Sequence, residues 1–235
     1  MNKKKILGII LAKSKSRRIK NKNFIKIKGK YMFQYVLDES IKSKLFKKIH
    51  ISTETNFSLN KIKNLKKNKT YKKYLDTSFL RPKKMASDKY PMEKVVRFIK
   101  KKFDEFNYTD FAMIYSTAIN LKKKDLTYFI KYYSNLCKKY PRYGISCQIL
   151  TPFPAPVEWS MRLKKNGEIV YDSYKSHKKT SDTFTKKYFD AGGVQIFNKL
   201  YFSTKKIKKF GIVMPYYKCI DIDFKDDFEL AKKLI

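Results

Sequence analysis

ILGIILAKSKSRRIKNKN, residues 6–23, sets an apolar run directly against a basic one. The first six residues are unbroken and rich in β-branched side chains, the pattern of a strand covered on both faces. After Leu11 and Ala12 come Lys13, Lys15, Arg17, Arg18, Lys20 and Lys22. Residues 32–46 then carry a helical apolar period, so the unit reads as strand, basic loop and helix. Charge alone leaves two readings of the loop open. It could be an arm for a nucleic-acid backbone, or a loop folded around one small, strongly anionic molecule.

The rest of the chain extends the same alternation. KIHIST at 48–53 reads as a strand, 58–67 as a helix, and PMEKVVRFIKKKFDEF as a helix opened by Pro91, with Val95, Val96, Ile99, Phe103 and Phe106 on one face. FAMIYST at 111–117 and RYGISCQI at 142–149 are strands flanking a helix at 124–136. This order predicts an α/β fold with a mostly parallel central sheet and helices on both faces. TPFPAP at 151–156 then breaks the pattern, and Asn166-Gly167 between two alternating runs signals a hairpin. Residues 151–190 are therefore expected to form a small antiparallel excursion that covers a site or makes a dimer contact. FDAGGVQIF, GIVMPY and CIDIDF read as short strands and 225–235 as a terminal helix, all within one domain spanning 1–235.

Composition narrows the function classes. The formal net charge is +36, yet only six of the 56 basic residues are arginine. The lysines run along the whole chain among Ile, Asn, Phe and Tyr, and arginine, which makes the bidentate contacts of specific nucleic-acid readout, is scarce. The charge thus reads first as a composition bias, with nucleic-acid binding as the rival. Cys137, Cys147 and Cys219 show no metal-binding spacing and read as reduced, cytoplasmic thiols. The apolar run of MNKKKILGIILA is shorter than the ~7–15 residues of a signal peptide core, and no stretch reaches the ~20 of a membrane span.

Two constellations carry chemistry. Open α/β sheets bind ligands beyond the carboxyl ends of their strands, and a helix N-terminus there favours phosphate. Lys13, Ser16, Arg17, Arg18 and Lys22 lie at that position, although no glycine-rich phosphate signature accompanies them. The second is CIDIDF, where strand alternation puts Asp221 and Asp223 on one side and Ile220, Ile222 and Phe224 on the other. Two carboxylates held together ask for a cation, and hard oxygen ligands that leave room for phosphates suit Mg²⁺. Capping of the next helix is the plainer role, for which Asp226 and Asp227 are better placed. His50 and His177 show no partner in the sequence and read as structural or solvent-facing.

A basic loop combined with a late carboxylate pair suggests nucleotidyl transfer, and here the sequence resembles the CMP-sugar synthetases, acylneuraminate and pseudaminic acid cytidylyltransferases. ILAKSKSRRIKNKN resembles their first motif, I-P-A-R-x-x-S-K-R-x-P-x-K-N, with Lys13 in place of an arginine and Lys20 in place of a proline. STET stands where the family has S-T-D, FLRPKKMASD resembles L-R-P-x-x-L-A-x-D, and YSTAIN resembles P-T-A-P-F with Ser116 and Ile119 at the proline positions. FDAGG is similar to D-A-G, Thr180, Ser181 and Asp182 stand at an R-S-Q motif, and CIDIDFKDDFELA resembles D-I-D-x-x-E-D-x-x-x-A.

The resemblance implies a Rossmann-like nucleotidyltransferase. Lys13, Ser16 and Lys22 would contact the triphosphate, with Asn23 near the nucleotide or its α-phosphate and Leu11, Ala12 and Arg17 completing the nucleotide site. Arg81 and Ser87 would lie by the cytosine, and Tyr115 and Thr117 where base and sugar meet. Lys22, Asp221 and Asp223 would be catalytic, the two aspartates holding Mg²⁺. The partners implied are CTP, a nine-carbon acidic keto-sugar and a second copy of the chain. Arg162, Lys178 or Lys179 would suit the sugar carboxylate.

Overall fold

Residues 4–218 and 221–234 are described by the computed structural model. The start of MNKKKILGIILA, Cys219 and Ile220 of CIDIDF, and residue 235 of the expected terminal helix lie outside them. The elements in chain order are β1 (Ile6–Leu11), β2 (Lys26–Ile27), β3 (Lys30–Tyr31), α1 (Met32–Ser43), β4 (Phe46–Ser52), α2 (Asn56–Leu65), α3 (Lys69–Tyr74), β5 (Leu75–Asp76) and α4 (Met92–Lys102). They continue with β6 (Asp110–Tyr115), α5 (Lys123–Lys139), β7 (Gly144–Pro152), β8 (Met161–Leu163), β9 (Ile169–Tyr171), α6 (Tyr174–His177), β10 (Tyr188–Asn198), β11 (Ile207–Val213) and α7 (Lys225–Leu234).

Seven strands form the main sheet in the order β11-β7-β10-β6-β1-β4-β5. All neighbours are parallel except β10, which runs antiparallel to both β6 and β7. The alternation of side chains in β1 explains why its sequence is apolar throughout. Ile6 and Ile10 enter the cluster built with Phe33, Val36 and Leu37 of α1 and Phe129 of α5. Leu7 and Ile9 enter the opposite cluster with Val95, Val96 and Ile99 of α4. Each fully buried side chain of this size stabilises the fold by roughly 1.5–3 kcal/mol, so the run fixes β1 at the centre of the sheet.

The structure corrects three boundaries and one element. Phe106 leaves the α4 face: the helix ends at Lys102, a short 3-10 turn follows, and the ring is 47% exposed. Phe46 belongs to β4, not α1. Residues 150–152 and 188–190 pair with each other within β7 and β10, so the excursion proper is shorter than 151–190. Within it β8 and β9 pair as the expected hairpin, with Gly167 at φ +85° in the turn.

The fourth correction concerns CIDIDF, whose described residues are not a strand. The backbone groups a ladder would use are taken locally. Asp227 Oδ2 accepts the N–H groups of Asp223 and Phe224 at 3.0 and 2.7 Å, and Lys22 Nζ donates to the carbonyl of Ile222. Asp227 thus does the capping expected of it. The predicted alternation survives, because Ile222 is fully buried beside Met32 and Ile119 while its two flanking aspartates face a cleft.

Among the described residues no helix is long and apolar enough to cross a membrane, and Cys137 and Cys147 are free thiols.

Candidate active site

Strand order reverses between β1 and β6, since β4 continues one way from β1 and the chain returns on the other side at β6. Such a switch point opens a crevice at the carboxyl ends of the strands. Here the loop after β1 and the turn after β6 border a cleft of about 440 Å³. Leu11, Lys13, Lys22, Asn23, Arg81 and Ser87 line it, and Tyr115, Thr117, Asp221 and Asp223 join them. Ala12 does not; it is fully buried in the core, and its N–H donates to the carbonyl of Ser52 at 3.0 Å. Ser16 and Arg17 face adjoining cavities, where the Ser16 hydroxyl is buried without a hydrogen-bond partner.

The two ends of the chain meet in this cleft. Lys22 Nζ lies 2.9 Å from Asp223 Oδ1, and Arg18 Nη2 lies 2.7 Å from Asp223 Oδ2. Asp221 sits deeper. Burial raises its carboxyl pKa and the neighbouring Asp223 adds to the rise, against a hydrogen bond from Thr117 and the charge of Lys22. Gly192, at φ +60°, comes so near that a Cβ there would stand 3.2 Å from Asp221 Oδ2. Gly192 lies within the register shift of β10 against β7, between Asp190 and Gln195.

Without glycines, the loop after β1 is shaped by side chains. Glu54 Oε1 accepts the Ser14 N–H at 2.8 Å and also the Ser14 hydroxyl. Asn23, 3% exposed, donates from Nδ2 to the Lys13 carbonyl at 2.8 Å and accepts the Ser116 hydroxyl at 2.6 Å. Asp88 pairs with both Lys13 and Arg17, and Lys13 first, then Arg17, holds its carboxyl below the usual range. The Ser14 amide is thus committed, and an incoming phosphate would meet lysine, arginine and serine side chains.

The wall of the cleft also includes Arg81. Its N–H donates to the Thr53 carbonyl at 2.9 Å, fixing the segment beside the end of β4. The guanidinium is 5% exposed, its Nη2 is 3.5 Å from Glu54 Oε2 and its Nε has no partner. Burial lowers its pKa and Glu54 opposes the shift. A buried cation with an open donor suits a ligand acceptor. Tyr115 is also shifted, its phenol pushed far up by burial and by Asp190 and Asp221.

The sequence did not single out Glu54 as the residue joining the loop after β1 to Arg81. Its position in STET was visible, but the partner Ser14 lies 40 residues away. His50 also gains a partner that the sequence did not show: it is fully buried, 2.7 Å from Asp76 Oδ2 and stacked on Phe79, a structural role. Arg162, Lys178 and Lys179 do not line the cleft, and Arg162 pairs with Asp172 in the hairpin.

Asp221 and Asp223 offer two carboxylates: burial and its neighbour disfavour the charged form of Asp221, while both oxygens of Asp223 are paired, with Lys22 and Arg18, so a divalent cation would share or displace those pairs. Among the described residues no group of three or more His, Cys, Asp or Glu stands ready to hold a metal. The pair therefore fits an ion that completes its shell from water and phosphate, as Mg²⁺ does.

A family profile described as Cytidylyltransferase matches residues 7–234. The chain belongs to the cytidylyltransferase family. It is 26% identical over 243 aligned residues to a pseudaminic acid cytidylyltransferase of Campylobacter jejuni, covering 98% of this chain and 96% of that one. It is 29% identical over 189 residues to a Helicobacter pylori protein named as a pseudaminic acid cytidylyltransferase and a UDP-2,4-diacetamido-2,4,6-trideoxy-beta-L-altropyranose hydrolase, covering 79% of this chain but only 33% of that longer one. The cytidylyltransferase superposes on CMP:2-keto-3-deoxy-manno-octonic acid synthetase complexed with CTP, TM-score 0.62 at 10% identity over 98% of both chains. It also superposes on 4-diphosphocytidyl-2C-methyl-D-erythritol synthase from Anaerococcus prevotii, TM-score 0.61 at 10% identity over 99% of this chain and 98% of that one. These two likenesses establish the Rossmann-like nucleotidyltransferase fold.

Proposed function

We propose that this cytidylyltransferase activates a nonulosonic acid, of the pseudaminic or sialic acid type, with CTP to give the CMP-sugar and pyrophosphate. The observation that carries the reading is the meeting of Lys22 and Arg18 with Asp223, two segments of the chain about 200 residues apart, in one cleft at the switch point of the sheet. The names of the C. jejuni and H. pylori relatives support the sugar class.

In this reading the anomeric hydroxyl of the sugar attacks the α-phosphorus of CTP and gives up its proton to solvent, the bond to the bridging oxygen breaks, and the β- and γ-phosphates leave together as pyrophosphate. Lys13, Ser16 and Arg17 hold the leaving end, and Lys22 meets charge growing on the α-phosphate and the bridging oxygen. Arg81 and Ser87 present donors to the base, and Asn23 holds the loop near the α-phosphate through its bond to the Lys13 carbonyl. Asp221 and Asp223 would hold Mg²⁺, which when bound supplies further positive charge at the phosphate oxygens. The excursion carries exposed Met161, Leu163, Ile169 and Tyr171 on one face of its hairpin, and a two-stranded ribbon is marginal alone, which supports homodimer contact through it.

Pyrophosphate release is measured for CTP against ATP, GTP and UTP, with a panel of acidic keto-sugars and with or without Mg²⁺. The expected outcome is release with CTP and a nine-carbon acid that stops on chelation. Release with no such sugar would overturn the substrate class, and CTP binding without release would mark a nucleotide-binding homologue without turnover. The nucleic-acid reading predicts instead salt-dependent retention on duplex or single-stranded nucleic acid with no nucleotide preference.

A further inference from the structure

Three cavities meet at one ion-pair bridge. The cleft of about 440 Å³, a second cavity of about 490 Å³ bordered by Lys15 and Lys20, and a third of about 350 Å³ beside Arg18 all have Lys13 and Asp88 in their walls. Asp88 Oδ1 takes the Lys13 ammonium, and Asp88 Oδ2 lies 3.2 Å from Arg17 Nε. The bridge therefore ties the loop after β1 to the short 3-10 turn Lys83–Ala86 that precedes Asp88, and it lies in the wall that the three cavities share.

Both cations are ones that the proposed function assigns to the leaving end of the nucleotide. Resting on that reading, we propose that Asp88 is an internal anion that competes with the pyrophosphate portion of the nucleotide for Lys13 and Arg17, and so promotes pyrophosphate release. The Asp88, Lys13 and Arg17 side chains are 42%, 29% and 82% exposed, and pairs this open to water are weak. A multiply charged phosphate chain outbids one carboxylate at two cations. On binding, phosphate oxygens replace the carboxylate oxygens. The displaced carboxylate stays tethered beside the phosphates, where like charge disfavours them. When pyrophosphate departs, Asp88 recaptures both cations and the site returns to its starting state. No covalent bond is made or broken in this exchange.

The competition touches only ligands that reach Lys13 and Arg17, which gives it a signature that a structural role lacks. Calorimetric titration of the full chain with CTP, inorganic pyrophosphate and CMP is compared for the wild type, Asp88→Asn and Asp88→Ala. Both variants are expected to bind CTP and pyrophosphate about three- to tenfold tighter, from the modest strength of two exposed pairs. CMP affinity stays within about twofold by the same reasoning, and inhibition of turnover by added pyrophosphate strengthens in step. In an Arg17→Met background, which leaves one arm of the bridge, the gain from Asp88→Asn shrinks.

Unchanged or weaker pyrophosphate binding by Asp88→Asn, with an unaltered melting temperature, overturns the proposal. So does an equal gain for CMP, or an undiminished gain without Arg17, either of which would mark a general charge effect. If the wild type binds neither CTP nor pyrophosphate, the proposed function falls and takes this inference with it. If it binds both and only the Asp88 comparison fails, the proposed function stands.

Discussion

The crevice between β1 and β6 and the excursion between β7 and β10 are built on opposite plans. In the crevice the decisive contacts join residues far apart in sequence: Lys22 to Asp223, Ser116 to Asn23, Ser14 to Glu54. In the excursion they are local. Arg162 pairs with Asp172, Lys164 with Glu168, and the Trp159 indole donates to the Ser176 carbonyl at 3.1 Å. The crevice takes its shape from contacts that the folded sheet brings together, while the hairpin is held by contacts within its own segment.

The largest expected effect tests the crevice. Asp223→Asn and Asp221→Asn should each lower the rate of pyrophosphate release by roughly 100- to 1,000-fold, the usual scale for removing a charged transition-state contact, with the circular dichroism spectrum unchanged. Retention of rate in both would dissolve the distinction between the two regions.

A smaller loss is expected from Gly192→Ala, because φ +60° disfavours any side chain and the new methyl would press on Asp221 Oδ2. A decrease of about tenfold in kcat is expected, roughly the factor that 1.4 kcal/mol of transition-state stabilisation represents. A matched Gly167→Ala change, at φ +85° in open hairpin space, should leave kcat for CTP unaltered. The pair separates strain from crowding at the carboxylate.

Leu163→Ser with Ile169→Ser sharpens the other side of the contrast. Both side chains are exposed on the hairpin, at 74% and 52%. CTP binding measured by calorimetry should stay within about twofold, since scattered exposed apolar residues contribute little to the fold. Size-exclusion elution should shift toward the monomer.

The smallest effect concerns acid stability. Burial pushes the Asp76 carboxyl up, but its hydrogen bonds with His50 and Ser78 outweigh this and hold it below its ordinary value. A depressed acid contributes stability that is present above its unfolded pKa, near 3.9, and is lost as pH falls through the folded value. Asp76→Asn should therefore lower the melting temperature at pH 6, with the difference closing as pH falls below about 4. A difference that widened in acid would show that the His50 contact is not the cause.

Much of the fold was legible because the code for it is local. The doubly covered β1 run, the Asn166-Gly167 turn and the helical face of Val95, Val96 and Ile99 each carry their own periodicity. The reversed direction of β10 was not legible, since FDAGGVQIF reads the same whichever way its neighbours run. CIDIDF misled for a related reason. Its alternation was real, but a lysine 200 residues away and the cap of α7 had already claimed the backbone that a strand would need. Asp221, Asp223, Lys13 and Lys22, which line the cleft, were singled out by charge and spacing. Glu54 and the Asp88 bridge were not given roles, because a carboxylate's task depends on which cation or amide the fold brings to it.

The loop after β1 takes its form from Glu54, Asn23, Ser116 and the aspartates around it, with no glycine of its own to set the backbone. A glycine-shaped turn can keep its geometry while its neighbours drift. This one is bound by reciprocal obligations, so a change at Ser14 or Asn23 is tolerated only when Glu54 or Ser116 changes with it, and surviving variants should carry their alterations in matched couples.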